Sequence, residues 1–251
     1  MRLAHREAGT GTPLVLLHAF PLSSEMFAGQ LGSLPARVIA PDLPGFGESP
    51  GVTTSMEEAA GAVLDLLDQL GVARAAFGGV SMGGYVAMAL LELAPERVAG
   101  LLLMDTHPHA DDAAARAKRE ALAQRVLAEG TRALGPGMLD RLLPAGSRHR
   151  ARVQAWIDAA RPDGVAGALR AMAGRPDRAG VLARWQGPSL VLVGERDPLI
   201  SLDAAKELAG LLRSDLFVVP GAGHLACFEE PAIADPAIGR FMAECDWDAL
   251  A

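Results

Sequence analysis

Six short apolar runs constrain this fold more than anything else in the chain: Leu14 to Leu17, Val38 to Ala40, Ala75 to Val80, Leu101 to Met104, Leu190 to Val193 and Leu216 to Val219. None exceeds six residues, and Gly, Pro or Asp bounds most of them. Continuous apolar runs without alternation fit strands covered on both faces. A further strand fits Leu3 to Ala8. Segments with helical spacing lie between the runs. From Ser55 to Leu70, Ser55 and Glu58 form a capping box, Val63, Leu66, Leu67 and Leu70 form the apolar stripe, and Gly71 is the stop. Met82 to Ala94, Leu202 to Leu212 and Pro231 to Glu244 are further helices. Strands alternating with helices predict an α/β fold, a mostly parallel central sheet flanked by helices.

One stretch breaks the rhythm. Ala110 to Arg184 holds only Ala- and Arg-rich helical sequence, interrupted at Gly130, Gly135-Pro136-Gly137, Pro144, Pro162 and Pro176. It reads as a helical insertion between two strands, too long for a simple crossover and of the kind that carries function. The expected organisation is a core of residues 1–108 and 186–251 with a helical cap insertion over 109–185.

Half the 251 residues are apolar, enough for a real core, and the formal charge of −7 argues against a general affinity for nucleic acid. Lys118 and Lys206 are the only lysines, and the arginines are scattered. Two cysteines, Cys227 and Cys245, cannot build a disulfide framework or a four-cysteine zinc site and read as free thiols. The charged N-terminus lacks a signal peptide's apolar stretch, and no apolar run approaches the ~20 residues of a membrane span. The expectation is a soluble cytoplasmic protein with no membrane partner.

The most informative segment is Gly78-Gly79-Val80-Ser81-Met82-Gly83-Gly84, which follows an apolar strand and opens a helix. Serine flanked by glycines there sits on a tight turn that lifts its hydroxyl above the sheet edge. The helix N-terminus behind it offers free N–H groups to a developing anion. Alone, Ser81 could be a helix cap after a glycine turn. A nucleophile also needs a base, and the base an orienting carboxylate. His224, in Gly221-Ala222-Gly223-His224, follows the last strand, and Asp197, in Gly194-Glu195-Arg196-Asp197-Pro198, follows the strand before it. Asp105 also ends a strand and is the alternative acid; otherwise it reads as a loop cap.

Together these residues resemble the α/β-hydrolase superfamily over nearly the whole chain. Leu16-Leu17-His18-Ala19-Phe20-Pro21 is similar to the family's His-Gly-Phe-Pro segment, and Asp42-Leu43-Pro44-Gly45-Phe46-Gly47-Glu48-Ser49 to its Asp-x-Arg-Gly-x-Gly-x-Ser turn. The stretches around Met104-Asp105-Thr106 and from Ala171 to Asp177 resemble small esterases and lactonases of the 3-oxoadipate enol-lactonase type. This resemblance implies the α/β-hydrolase fold, a carboxylic ester hydrolase, and an acyl-enzyme on Ser81 with His224 as base and Asp197 as orienting acid. It further implies an oxyanion hole from the backbone N–H groups of Phe20 and Met82, a small-molecule acyl substrate and water, and no cofactor. A serine at the elbow counts against the dehalogenase and epoxide hydrolase chemistries, which resembling enzymes run on an aspartate. Two departures stand out: Ala19 replaces glycine, where a forced positive φ would cost ~1 kcal/mol or more, and Pro44 replaces arginine.

Phe20, Met138, Leu142, Trp156 and Met172 are candidate substrate-binding residues, with core packing as the alternative. His107-Pro108-His109-Ala110-Asp111-Asp112 resembles part of a metallo-β-lactamase signature but has Asp112 where that motif needs histidine; it reads as a surface or cap-entrance loop, and no metal site is expected. His18 reads as structural. A non-catalytic ligand-binding module on the same scaffold, a carbon–carbon hydrolase, a thioesterase and a cofactor-free perhydrolase are the competing functions. Oligomeric state is not legible.

Overall fold

A computed structural model describes residues 2–245. Its seven strands are β1 (His5–Ala8), β2 (Pro13–Leu17), β3 (Arg37–Pro41), β4 (Ala75–Val80), β5 (Val98–Met104), β6 (Ser189–Gly194) and β7 (Asp215–Val219). They form one sheet in the order β1-β3-β2-β4-β5-β6-β7. Only β1 runs antiparallel, with Glu7 opposite Ile39; all other neighbours are parallel. Each apolar run therefore became a strand. β4 and β5, at the centre, are buried at every position, as parallel strands covered on both faces must be.

The helices are α1 (Gln30–Ser33), α2 (Met56–Gln69), α3 (Met82–Leu93), α4 (Ala113–Glu129), α5 (Pro136–Leu142), α6 (Arg150–Ala159), α7 (Pro162–Gly174), α8 (Ala179–Arg184), α9 (Leu202–Leu212), α10 (Ala226–Glu229) and α11 (Pro231–Glu244). α2 starts where the sequence signals it: the Ser55 hydroxyl accepts from the Glu58 N–H at 3.0 Å. Its stripe of Val63, Leu66 and Leu67 is buried, and Leu70 is partly buried against the core. Among the described residues none of the helices is long and apolar enough to cross a membrane.

Helices α4 to α8 fill the stretch between β5 and β6. Arg178 and Leu142 are among the residues that tie this stretch to the rest of the fold. Arg178, just before α8, is buried and pairs with Glu57 on α2 and, at 3.0 Å, with Glu92 on α3. At the end of α5, the Leu142 carbonyl accepts from the His224 N–H at 3.1 Å. Residue 1 and residues 246–251, the outer bounds of the expected core, lie outside the described residues.

The adjacent strands β4, β5, β6 and β7 end on the same edge, because all four are parallel and paired in sequence order. Ser81, Asp105, Asp197 and His224 each follow one of these ends. Residues separated by more than a hundred positions thus converge along one rim, the usual location of sites in open parallel sheets.

Candidate active site

Between Val80, the last residue of β4, and Met82, the first of α3, the chain reverses on Ser81 alone. That residue has φ 53° and ψ −112°, a conformation costing about 1–3 kcal/mol for a residue with a side chain. A Cβ at Gly79 would stand 2.3 Å from the Gly83 carbonyl, and one at Gly83 would stand 2.0 Å from the Leu17 carbonyl oxygen. Glycine at both places is thus a steric requirement of the elbow. Two bonds hold it: the Ser81 N–H donates to the Met104 carbonyl at 2.9 Å, and the Thr106 hydroxyl donates to the Ser81 carbonyl at 2.9 Å.

His224 Nδ1 lies 2.8 Å from Asp197 Oδ2, with the two side chains 2% and 0% exposed. The other carboxylate oxygen of Asp197 accepts the N–H groups of Leu199 (2.7 Å) and Ile200 (3.1 Å). One oxygen is therefore fixed by its own loop and the other faces the imidazole, which commits Nδ1 and leaves Nε2 as the nitrogen able to take a proton. Ser81 and His224 line a common cavity of about 280 Å³.

Two buried carboxylates support this arrangement from behind. Asp105, read from sequence as the alternative acid or a loop cap, is neither bonded to His224 nor confined to its own loop. Its two oxygens accept the N–H groups of Gly194, at the end of β6, and Ala226, two residues past His224, at 2.8 and 3.0 Å. Burial, and then the nearby Asp197 charge, push its carboxyl well above the usual range. Glu229 uses one oxygen to accept the N–H groups of Gly223 (2.8 Å) and Leu225 (3.3 Å), which bracket His224. Burial raises its carboxyl to about 7. Nothing in the sequence marks Glu229, because its role exists only once the loop after β7 has closed over it.

Phe20 lines the cavity, and Met82 begins α3. The close approach of Gly83 to Leu17 brings the segment after β2 beside the start of that helix. Ala19 needs no strained backbone: the positive-φ residues other than glycine, among those described, are Ser81, Asp105 and Arg213. His18 is buried, its Nε2 accepting from the Leu43 N–H at 3.0 Å and its Nδ1 meeting the Ala19 carbonyl at 3.1 Å.

Met138, Leu142 and Met172 line the cavity that holds Ser81. Trp156 does not, which corrects the sequence expectation. Its face of α6 turns toward the N-terminal side, where the indole N–H donates to Glu25 at 2.6 Å and the ring packs on Phe228. There it lines a separate cavity of about 480 Å³ with Ser23 and Asp42.

The His107–Asp112 stretch is a loop, as expected, with one histidine at the surface and one at the cavity. His109 bridges Asp177 and Glu207, but His107 lines the cavity and meets the Tyr85 hydroxyl at 3.1 Å. Sequence reasoning missed Tyr85, although it lies in the first turn of the helix that Ser81 opens, a position that could have flagged it. Among the described residues no group of three or more His, Cys, Asp or Glu side chains could hold a metal ion.

Comparison with known proteins places this geometry in context. The family model described as the α/β-hydrolase fold matches residues 12–231. A dihydrolipoyllysine-residue acetyltransferase component of an acetoin cleaving system from Pseudomonas putida is 34% identical over 231 residues; the match covers 87% of this chain but only 60% of that longer protein. Among solved structures, a thermophilic esterase from Thermogutta terrifontis superposes with a TM-score of 0.93 at 36% identity, covering 96% of this chain and 93% of the other. An enol-lactonase from Burkholderia xenovorans LB400 superposes with a TM-score of 0.88 at 25% identity, covering 96% of each.

Proposed function

The chain belongs to the α/β-hydrolase family, and from that premise we propose that it is a serine hydrolase cleaving small or medium carboxylic esters or lactones. The observation that carries this reading is the buried 2.8 Å contact between His224 Nδ1 and Asp197, with His224 sharing one cavity with the strained Ser81. A binding module has no use for a serine held at φ 53°; a nucleophile that must stand clear of the sheet does.

In this mechanism Ser81 Oγ attacks the substrate carbonyl while His224 Nε2 takes its proton. Asp197 holds the imidazole in the required tautomer and stabilises its charged form. The N–H groups of Phe20 and Met82 hold the oxyanion, each such donor contributing ~2.7–4 kcal/mol to the transition state. His224 then protonates the leaving alcohol, and water releases the acyl group by the reverse steps. Residues 109–185 act as the cap, supplying Met138, Leu142 and Met172 as apolar walls. A cavity of about 280 Å³ favours small acyl groups, as it lies at the lower end of the volumes that hold drug-sized ligands. Similarity to an esterase and an enol-lactonase supports both ester and lactone substrates.

The test is a panel of p-nitrophenyl esters, lactones and acyl thioesters against wild-type protein and the Ser81→Ala and His224→Ala variants. Turnover of esters or lactones that both variants lose is expected. Turnover that survives in Ser81→Ala overturns the mechanism, and folded wild type that turns over no substrate supports the binding module. Preference for thioesters would move the enzyme to a neighbouring chemistry on the same constellation.

A further inference from the structure

Tyr85 and His107 lie inside the cavity that holds Ser81, yet the reaction above uses neither. Tyr85 is 6% exposed, and burial raises its phenol above its ordinary value, so it is a hydroxyl at neutral pH. His107 is held neutral: burial first, then the Arg175 charge, lower it to about 4. Its tautomer follows from the hydrogen bonds around it. Nδ1 faces the backbone N–H of His109 at 3.2 Å, a group that can only donate, so the ring hydrogen sits on Nε2. Nε2–H then donates to the Tyr85 oxygen at 3.1 Å. Arg175 Nη2 also approaches Nε2, at 3.4 Å, but its shorter bond is to the His109 carbonyl at 2.9 Å. With its oxygen already accepting, and no second hydrogen-bond partner among the described residues, the Tyr85 hydroxyl keeps a proton to give.

Charge around the pair favours an electron-rich partner. The Arg175 guanidinium stacks over the Tyr85 ring, 4.1 Å from its centroid, which strengthens the phenol as a donor. Arg175 and Arg119 share a single carboxylate, Asp111. Lys118, Arg119 and Arg141 line the cavity, and among the described residues that line it none is acidic.

We infer that the Tyr85 hydroxyl, oriented by His107, is a specificity-determining donor for a second oxygen carried on the acyl portion of the substrate. The inference rests on the serine hydrolase reading and narrows its substrate class to acyl groups bearing a ketone or carboxylate oxygen beyond the scissile carbonyl. Plain alkanoyl esters leave this donor unmatched, and a buried donor without an acceptor is unfavourable.

The test compares kcat/KM for p-nitrophenyl pentanoate, p-nitrophenyl 4-oxopentanoate and mono-p-nitrophenyl succinate in wild type and Tyr85→Phe. Wild type is expected to prefer an oxygen-bearing ester, and Tyr85→Phe to lower that preference about tenfold, chiefly through KM. A loss confined to the succinate ester assigns the site to carboxylates; a loss on the oxo ester extends it to neutral acceptors. A preference ratio within twofold of wild type overturns the inference, since a purely structural role for Tyr85 lowers all three substrates alike. Calorimetric binding of ethyl 4-oxopentanoate and monoethyl succinate against ethyl pentanoate to Ser81→Ala reads the same preference without turnover. Failure of the hydrolase reading is therefore separable from failure of the subsite, and equal binding of all three ethyl esters overturns the subsite by itself.

Discussion

Replacing Glu229 with alanine removes the one oxygen that the Gly223 and Leu225 N–H groups share on either side of His224. Each buried donor left without an acceptor costs about 1–3 kcal/mol. A cavity of about 280 Å³, lined by Glu229 with Arg148 and His149, gives water a route to the vacated space and holds the total near the lower bound, about 2 kcal/mol. For a chain of this size that lowers Tm by roughly 4–8 °C. Glu229→Gln is the control, because a single amide oxygen can accept both N–H groups as the carboxylate oxygen does. The two variants also separate charge from clamp. The Glu229 carboxyl is raised from 4.5 to about 7 in the folded protein, so the native state binds its proton more tightly than the unfolded chain. The stability this contributes is present below pH 4.5 and is lost as pH rises through about 7. Urea unfolding from pH 4.5 to 8 is expected to show wild type losing stability across that window, Glu229→Gln losing less, and Glu229→Ala displaced downward at pH 4.5 with the gap closing as pH rises, because alanine has no proton to lose. Equal stability of alanine variant and wild type at pH 4.5, or an undiminished pH slope in Glu229→Gln, would refute the reasoning.

Other outcomes follow from the same geometry. At φ 53°, Ser81→Gly is expected to be more stable than Ser81→Ala by roughly 1–2 kcal/mol, since both lose the hydroxyl and only glycine relieves the strain; thermal melts check this, and an alanine variant as stable as glycine contradicts it. Asp197→Asn is expected to lower kcat on p-nitrophenyl butyrate by about 10⁴-fold by stabilising the wrong imidazole tautomer, while Asp105→Asn, whose bonds go to backbone N–H groups and not to the imidazole, lowers it by roughly tenfold or less. The opposite ranking reassigns the acid to Asp105. The same Asp105→Asn change leaves one of the Gly194 and Ala226 N–H groups facing an amide donor, so chemical denaturation should register a loss of about 1–3 kcal/mol.

Much of the fold is legible in the sequence because its signals are local. An apolar run bounded by turn residues becomes a buried parallel strand wherever it sits, and Ser55 caps its helix with a bond three residues long. The elbow is legible for the same reason: the 2.0 Å clearance at Gly83 is written in the spacing of two glycines around one serine. Asp197 and His224 could be chosen because chain order and strand ends place them on one rim. What stayed hidden depends on which way a helix faces after packing. Trp156 and Ile157 are adjacent on α6, yet Ile157 is buried while the Trp156 indole reaches Glu25. His107 is legible as loop sequence but not as a cavity residue, because its partners, Tyr85 and Arg175, come from α3 and the end of α7. Glu229 and Asp105 act on backbone N–H groups, which no side-chain pattern reveals.

The most direct measurement is the intact mass of the protein after exposure to an alkyl fluorophosphonate, with the labelled peptide identified by fragmentation. A single adduct on Ser81, absent from Ser81→Ala and strongly slowed in His224→Ala, is the expected result. Folded wild type that takes no adduct, or takes it at another residue with Ser81 unmodified, contradicts the assignment of Ser81 as a nucleophile activated by His224.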